Sequence, residues 1–192
     1  LNPFNANVRA LFGLYWKRQN ESAKALAEFQ WAALIEPQNP SLQLALGDAL
    51  AFAGDLPPAL LAYQRATQLA PHEPIYWRAL ATFCAQYGFQ PLDVGVPAAL
   101  QVLALEPGTA ASHDLLGWVY LAADLPVAAE VSLLSALRAD PNFAAAHLHL
   151  AMVYLQRGDF VNARRHLDRA VELASGTPVG DAAERLIVEY FP

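Results

Sequence analysis

Prolines recur along this chain at a nearly constant interval. Pro3, Pro37 and Pro71 are 34 residues apart, Pro107 follows after 36, and Pro141 after another 34. A further 34 residues reaches Ser175. A repeat this short cannot bury its apolar face alone, so copies must stack on one another, and the period restricts the fold to a linear array. Each proline closes a similar tripeptide, from Leu1-Asn2-Pro3 and Ile35-Glu36-Pro37 to Ala139-Asp140-Pro141.

Other residue types keep this register. A tiny residue stands at Gly13, Gly47, Ala81, Gly117 and Ala151, each preceded by a large apolar one at Phe12, Leu46, Leu80, Leu116 and Leu150. Twelve residues before the proline position come Ala25, Ala59, Gly95, Ala129 and Ala163. Between the two groups lie turn signals such as Asn20-Glu21, Gly54-Asp55 and Gly158-Asp159. Each half of a repeat has apolar residues at three- and four-residue spacing, which predicts an amphipathic helix. The turns break the helices into antiparallel pairs. Tiny residues let two backbones approach where helices cross, and large neighbours fill the space around them. The proline ends the second helix.

The pattern resembles the tetratricopeptide repeat family over about residues 6 to 175. Phe12-Gly13…Trp16 and Leu116-Gly117…Tyr120 match the first-helix signature of the family. Ala25…Phe29…Ala32…Pro37 and Ala59…Tyr63…Ala66…Pro71 match its second-helix signature. The resemblance implies an all-α, right-handed α-solenoid of antiparallel helix pairs, as a single domain over 1–192. The expected repeats are 6–39, 40–73, 74–109, 110–143 and 144–177, closed by a C-terminal capping helix at 178–190. In that helix Ala183, Leu186, Ile187 and Tyr190 share one face, and Asp181, Glu184, Arg185 and Glu189 supply a polar outer side. The third repeat departs from the pattern. It is two residues longer, around Gly88 to Gly95, and its second helix has Pro97 and, in place of an aromatic, Ala99. An interior proline costs about 3 kcal/mol, so Pro97 is expected in the first turn of a shortened helix. Leu1-Asn2-Pro3 has the form of a repeat's ending, which leads us to expect at least one more repeat upstream, with Asn5 capping the first helix.

Several functions are disfavoured by charge and motif. The net charge is −6 and no basic run exists, against nucleic acid and anionic membrane surfaces as partners. The longest nearly apolar stretch, Val94 to Leu105, is too short to insert across a bilayer. The single cysteine permits no intramolecular disulfide and no cysteine metal cluster. Cys84 falls where Trp16, Tyr120 and Tyr154 fall in other repeats, so it reads as a buried filler. His113 and His147 share a packing position with Trp77, and no histidine pair has i, i+4 metal-ligand spacing. No nucleophile elbow, P-loop or dinucleotide fingerprint is present. No catalytic residue, metal or cofactor is therefore expected, and the chain reads as a non-enzyme.

The resemblance further implies that first helices line a concave groove. Its candidate residues are Leu14, Lys17 and Arg18, then Leu44, Asp48 and Phe52, then Arg78, Thr82 and Gln86. The fourth and fifth repeats add Asp114, Trp118 and Leu121, then Leu148, Met152 and Gln156. The Lys and Asn side chains with which some family members clamp a C-terminal carboxylate are replaced by Ala10, Leu14 and Leu44. The expected partner is another protein, held as a peptide or amphipathic helix by apolar anchors, with Trp118 and Met152 forming one shelf. Alternatives are a docking region of a larger enzyme and a bacterial envelope assembly factor. Trp31, Leu34, Leu100 and Leu134 offer a second surface, for a homodimer or another domain. Arginine outnumbers lysine ten to two, which points to a bacterial source. The expected location is cytoplasmic, with a periplasmic or membrane-tethered placement as the alternative.

Overall fold

The computed structural model describes residues 5–192, and among these every regular element is helical. In chain order α1 is Ala6–Arg18, α2 Ser22–Ile35, α3 Pro40–Phe52, α4 Leu56–Leu69 and α5 Pro74–Tyr87. A π-turn at Pro91–Gly95 leads into α6, Val96–Leu105. Then come α7 Ala110–Ala122, α8 Pro126–Ala139, α9 Ala144–Gln156, α10 Phe160–Ala174 and α11 Pro178–Tyr190. The fold class is the all-α solenoid of antiparallel helix pairs. Two compact units are distinguished, one ending at Phe83 and the other beginning at Cys84, so their boundary falls inside α5. The reading of Leu1-Asn2-Pro3 lies outside the described residues. No helix among the described residues is long and apolar enough to cross a membrane.

In the N-terminal unit the Asn5 carboxamide oxygen accepts from the N–H groups of Asn7 and Val8, which satisfies two free donors at the start of α1. The turn into α2 places Asn20 at φ 61°, a conformation that asparagine tolerates. Gly13 is fixed by packing: a Cβ there would stand 2.8 Å from the ring of Phe29, so only glycine lets that ring lie against α1. Ala6, Ala32 and Leu42 are buried together and join α1, α2 and α3. Beyond them the rings of Tyr63 and Phe83 meet at 4.9 Å, and the hydroxyls of Ser41 and Tyr76 at 3.0 Å.

The C-terminal unit absorbs the two extra residues of the third repeat in the π-turn. Pro97 is the second residue of α6, where its missing N–H is no loss. Gly95, at the end of the π-turn, lies against Cys84 and Val119; a Cβ there would fall 2.8 Å from Cys84 Cβ. The core then runs through Leu133, Leu150 and Val153, all fully buried. α10 stops at Ala174 although proline is absent at position 175, and Gly176 makes the turn at φ 72°. α11 packs Ala183, Val179, Ala182, Leu186 and Ile187 against Leu148, Ala151, Leu167 and Ala170. Tyr190 does not share that face: it is exposed, and Phe191 turns back instead to meet Phe160 at 6.2 Å.

One hydrogen bond recurs in both units. Gln43 Nε2 donates to the Pro37 carbonyl, Trp77 Nε1 to that of Pro71, and His147 Nε2 to that of Pro141. Each donor is the fourth residue of its expected repeat, six residues beyond the proline. The proline carbonyl at the end of one helix pair is thus satisfied by the next first helix, whatever N–H side chain occupies the place.

Candidate functional site: the first-helix faces

Between α1 and α3 the N-terminal unit holds a cavity of about 230 Å³. Leu14 and Phe52, 55% and 67% exposed, wall it, and the buried ring of Phe29 forms its floor. Ala45 and Ala49 keep it open, because a methyl group fills little of the width between neighbouring helices. Lys17 and Asp48 stand at the rim. The Tyr63 hydroxyl donates to Asp48 Oδ1 at 2.7 Å, whereas Lys17 has no ion pair among the described residues. Arg18 is exposed next to it, Leu44 is half-buried, and Arg78 and Thr82 on α5 are half-buried.

The C-terminal unit builds the same place in its repeat quite differently. Counting from the tiny residue, Trp118 matches Leu14, His149 matches Ala45, Val153 matches Ala49, and Gln156 matches Phe52. The His149 imidazole stacks on Trp118, with centroids 5.1 Å apart and planes within 10°. His149 Nδ1–H donates to Asp114 Oδ1 at 2.8 Å. Gln156 donates to Asp124, closing the gap that Phe52 and Asn20 leave open in the other unit. The corresponding space between α7 and α9 is thereby filled by the chain itself.

The expected groove residues of this unit therefore need correction. Asp114 is buried, 7% exposed, because it serves His149, and it is not available to a partner's cation. Leu148, also 7% exposed, belongs to the cluster under α11. Met152 packs against that same cluster, and one face of Trp118 is taken by His149, so the two do not form an open apolar shelf. Leu121 is half-buried, and Gln86 and Gln156 are exposed. Sequence reasoning assigns His149 no part in this site. A signal exists in the pair Asp114 and His149, 35 residues apart: in a 34-residue period this spacing sets two residues side by side on successive first helices.

The remaining polar candidates have structural partners. The Nδ1 atoms of His147 and His166 lie 2.9 Å apart. A carbonyl only accepts, so His147 Nε2 donates to Pro141, and one proton lies between the two Nδ1 atoms. Burial, then the charge of His147 and of Arg165, lowers the pKa of His166 to about 4. Tyr154 stacks on His166 and donates to Glu130, which also binds Arg157. Cys84 is fully buried, and burial pushes its thiol up to about 11, far from a nucleophile's range. Among the described residues no cluster of three or more His, Cys, Asp or Glu is placed to hold a metal ion. On the second-helix side Trp31, Leu34, Leu100 and Leu134 are all exposed.

Two family models, both described as tetratricopeptide repeat, match residues 40–83 and 120–186. The chain is a tetratricopeptide repeat protein. Its helix pairs also superpose on solved members of this family. A thermophilic TPR protein of Thermus thermophilus aligns with TM-score 0.71 at 20% identity, over 95% of this chain and 99% of that one. MamA, residues 41 to the end, from Desulfovibrio magneticus RS-1 gives 0.69 at 22% identity, over 88% and 94%. YrrB, described as a TPR protein with an unusual peptide-binding site, gives 0.62 at 16% identity, over 96% and 94%. At such identities the likeness is one of fold. A search of curated proteins returns no match to the sequence.

Proposed function

We propose that this tetratricopeptide repeat protein is a non-catalytic scaffold that holds a peptide or helical segment of a partner protein on the first-helix face of its N-terminal unit. The observation that supports this most directly is the open slot between α1 and α3, walled by two exposed large apolar side chains, Leu14 and Phe52. Exposed apolar walls around a preformed recess lose little entropy on capture of a segment and gain the burial of its anchors. The adjoining polar groups are few, and none forms an acid–base or nucleophile pair with a free reactive atom. A cytoplasmic location belongs to the same reading, and fractionation of the source cells with an antibody tests it.

The full chain, immobilised, is expected to retain partner proteins whose affinity falls by about 1–3 kcal/mol in Phe52→Ala and again in Leu14→Ala. If both variants keep the parent melting curve and bind the same proteins equally well, the slot is not the binding surface.

A further inference from the structure

We infer that the slot between α1 and α3 receives an aromatic side chain of the partner, with an acidic residue beside it, in the place that the imidazole of His149 takes in the C-terminal unit. This rests on the protein-binding reading above and names the chemistry of the anchor.

The molecule itself shows what fits. In the C-terminal unit the corresponding space is filled by a flat ring, stacked on the side chain that follows the tiny residue. In the N-terminal unit the ring is missing, because Ala45 replaces it; Leu14 stands in the place of Trp118 and Phe29 in that of Leu133, so the aromatic surface of the recess lies at its floor. Size supports one side chain rather than a free small molecule: about 230 Å³ lies below the roughly 300–1,000 Å³ of drug-sized ligand pockets. Ala45 and Ala49 line the recess with methyl groups only, and the ring of Phe29 at its floor favours an aromatic over a branched aliphatic side chain. Phe52 then supplies a second ring at the mouth for edge or offset contact.

Charge sets the neighbour of the anchor. Lys17 and Arg18 close the last turn of α1, and neither has an ion pair among the described residues. Asp48, across the rim, already accepts from Tyr63. A carboxylate on the partner is therefore favoured beside α1, and a cation finds its acceptor on α3 engaged.

Selection of phage-displayed random peptides against the full chain tests this. The enriched peptides are expected to carry Phe, Tyr or Trp with Asp or Glu within a few residues. As synthetic peptides they should lose about tenfold or more in affinity for Ala45→His, which copies His149, and for Ala49→Val, which copies Val153. Lys17→Glu should abolish the preference for acidic neighbours. Circular dichroism checks each variant, and if Ala45→His fails to fold, Ala49→Val decides. Enriched peptides that lack an aromatic residue, or that bind the filled-slot variants as tightly as the parent, overturn the anchor and leave a protein-binding role standing. A selection that enriches nothing overturns both.

Discussion

Ala45 in the N-terminal unit and His149 in the C-terminal unit hold the same place in their repeats, two residues before the tiny residue where helices cross. A methyl group at that place leaves a recess between first helices. An imidazole there closes it, and Asp114 and Trp118 fix the ring by a hydrogen bond and a stack. Nearby, Gln156 bonds to Asp124, whereas the equivalent Phe52 has no polar group with which to bridge to Asn20. The difference shows how an array of near-identical hairpins can leave one space between first helices open and fill another with its own side chains. One unit completes its own contacts, and α11 covers its last core cluster. The other leaves a gap over a solid floor and gives up packing there.

The largest effect expected from this contrast is in the floors. Leu133→Ala removes a fully buried side chain from a closed site and should cost about 3–5 kcal/mol in urea unfolding. Phe29→Ala, beneath a recess already open to water, should cost only about 3 kcal/mol, the low end for a buried Phe, because its void joins the existing cavity. An equal or greater loss at Phe29 would break the contrast. Next comes His149→Ala, which strips buried Asp114 of its donor and should cost about 1–3 kcal/mol. Free imidazole should raise the melting temperature of that variant more than that of the parent; no such rescue would mean that the ring does not fill a discrete space.

Acid should act on the closed unit first. His166 titrates in the fold at about 4, below the ordinary histidine value of about 6.5. Between those values the unfolded chain binds more protons than the folded one. Stability is thus fully present above about pH 6.5 and falls as the pH drops toward about 4. His147, Arg165, Tyr154 and Glu130 surround this site, so the melting temperature of His166→Gln should depend less steeply on pH over that window than that of the parent. The smallest effect is expected at the rim of the slot. Lys17→Ala should change stability by no more than about 0.5 kcal/mol, since its exposed ammonium makes no ion pair or hydrogen bond among the described residues. A larger loss would show that its role is internal.

Much of this fold can be read from the residues. The proline period and the turn signals locate successive helices, Asn5 announces the start of α1, and Pro97 can only sit in the opening turn of α6. These are local effects of φ restriction and end-capping, which a linear reading captures. The π-turn is less legible: the surplus around Gly88 to Gly95 is visible, but whether it becomes a loop or a widened helical turn depends on how closely Gly95 approaches Cys84. Spacing alone puts Tyr190 on the packed face, and the last turn defeats that rule because Phe191 takes the contact with Phe160. At the candidate site, register picks out Leu14 and Phe52 but gives no account of which recess is already occupied. That depends on pairs such as Asp114 and His149, which meet only once neighbouring repeats are laid side by side.

The chain's lone sulfhydryl has a practical corollary. With its pKa near 11 and no exposed surface, Cys84 is ionised to roughly one part in a thousand at pH 8. Maleimide dyes and spin labels will pass it by. A cysteine introduced at Phe52 or Gln156 can then report on its own unit against a silent background, and the native residue need not be removed beforehand.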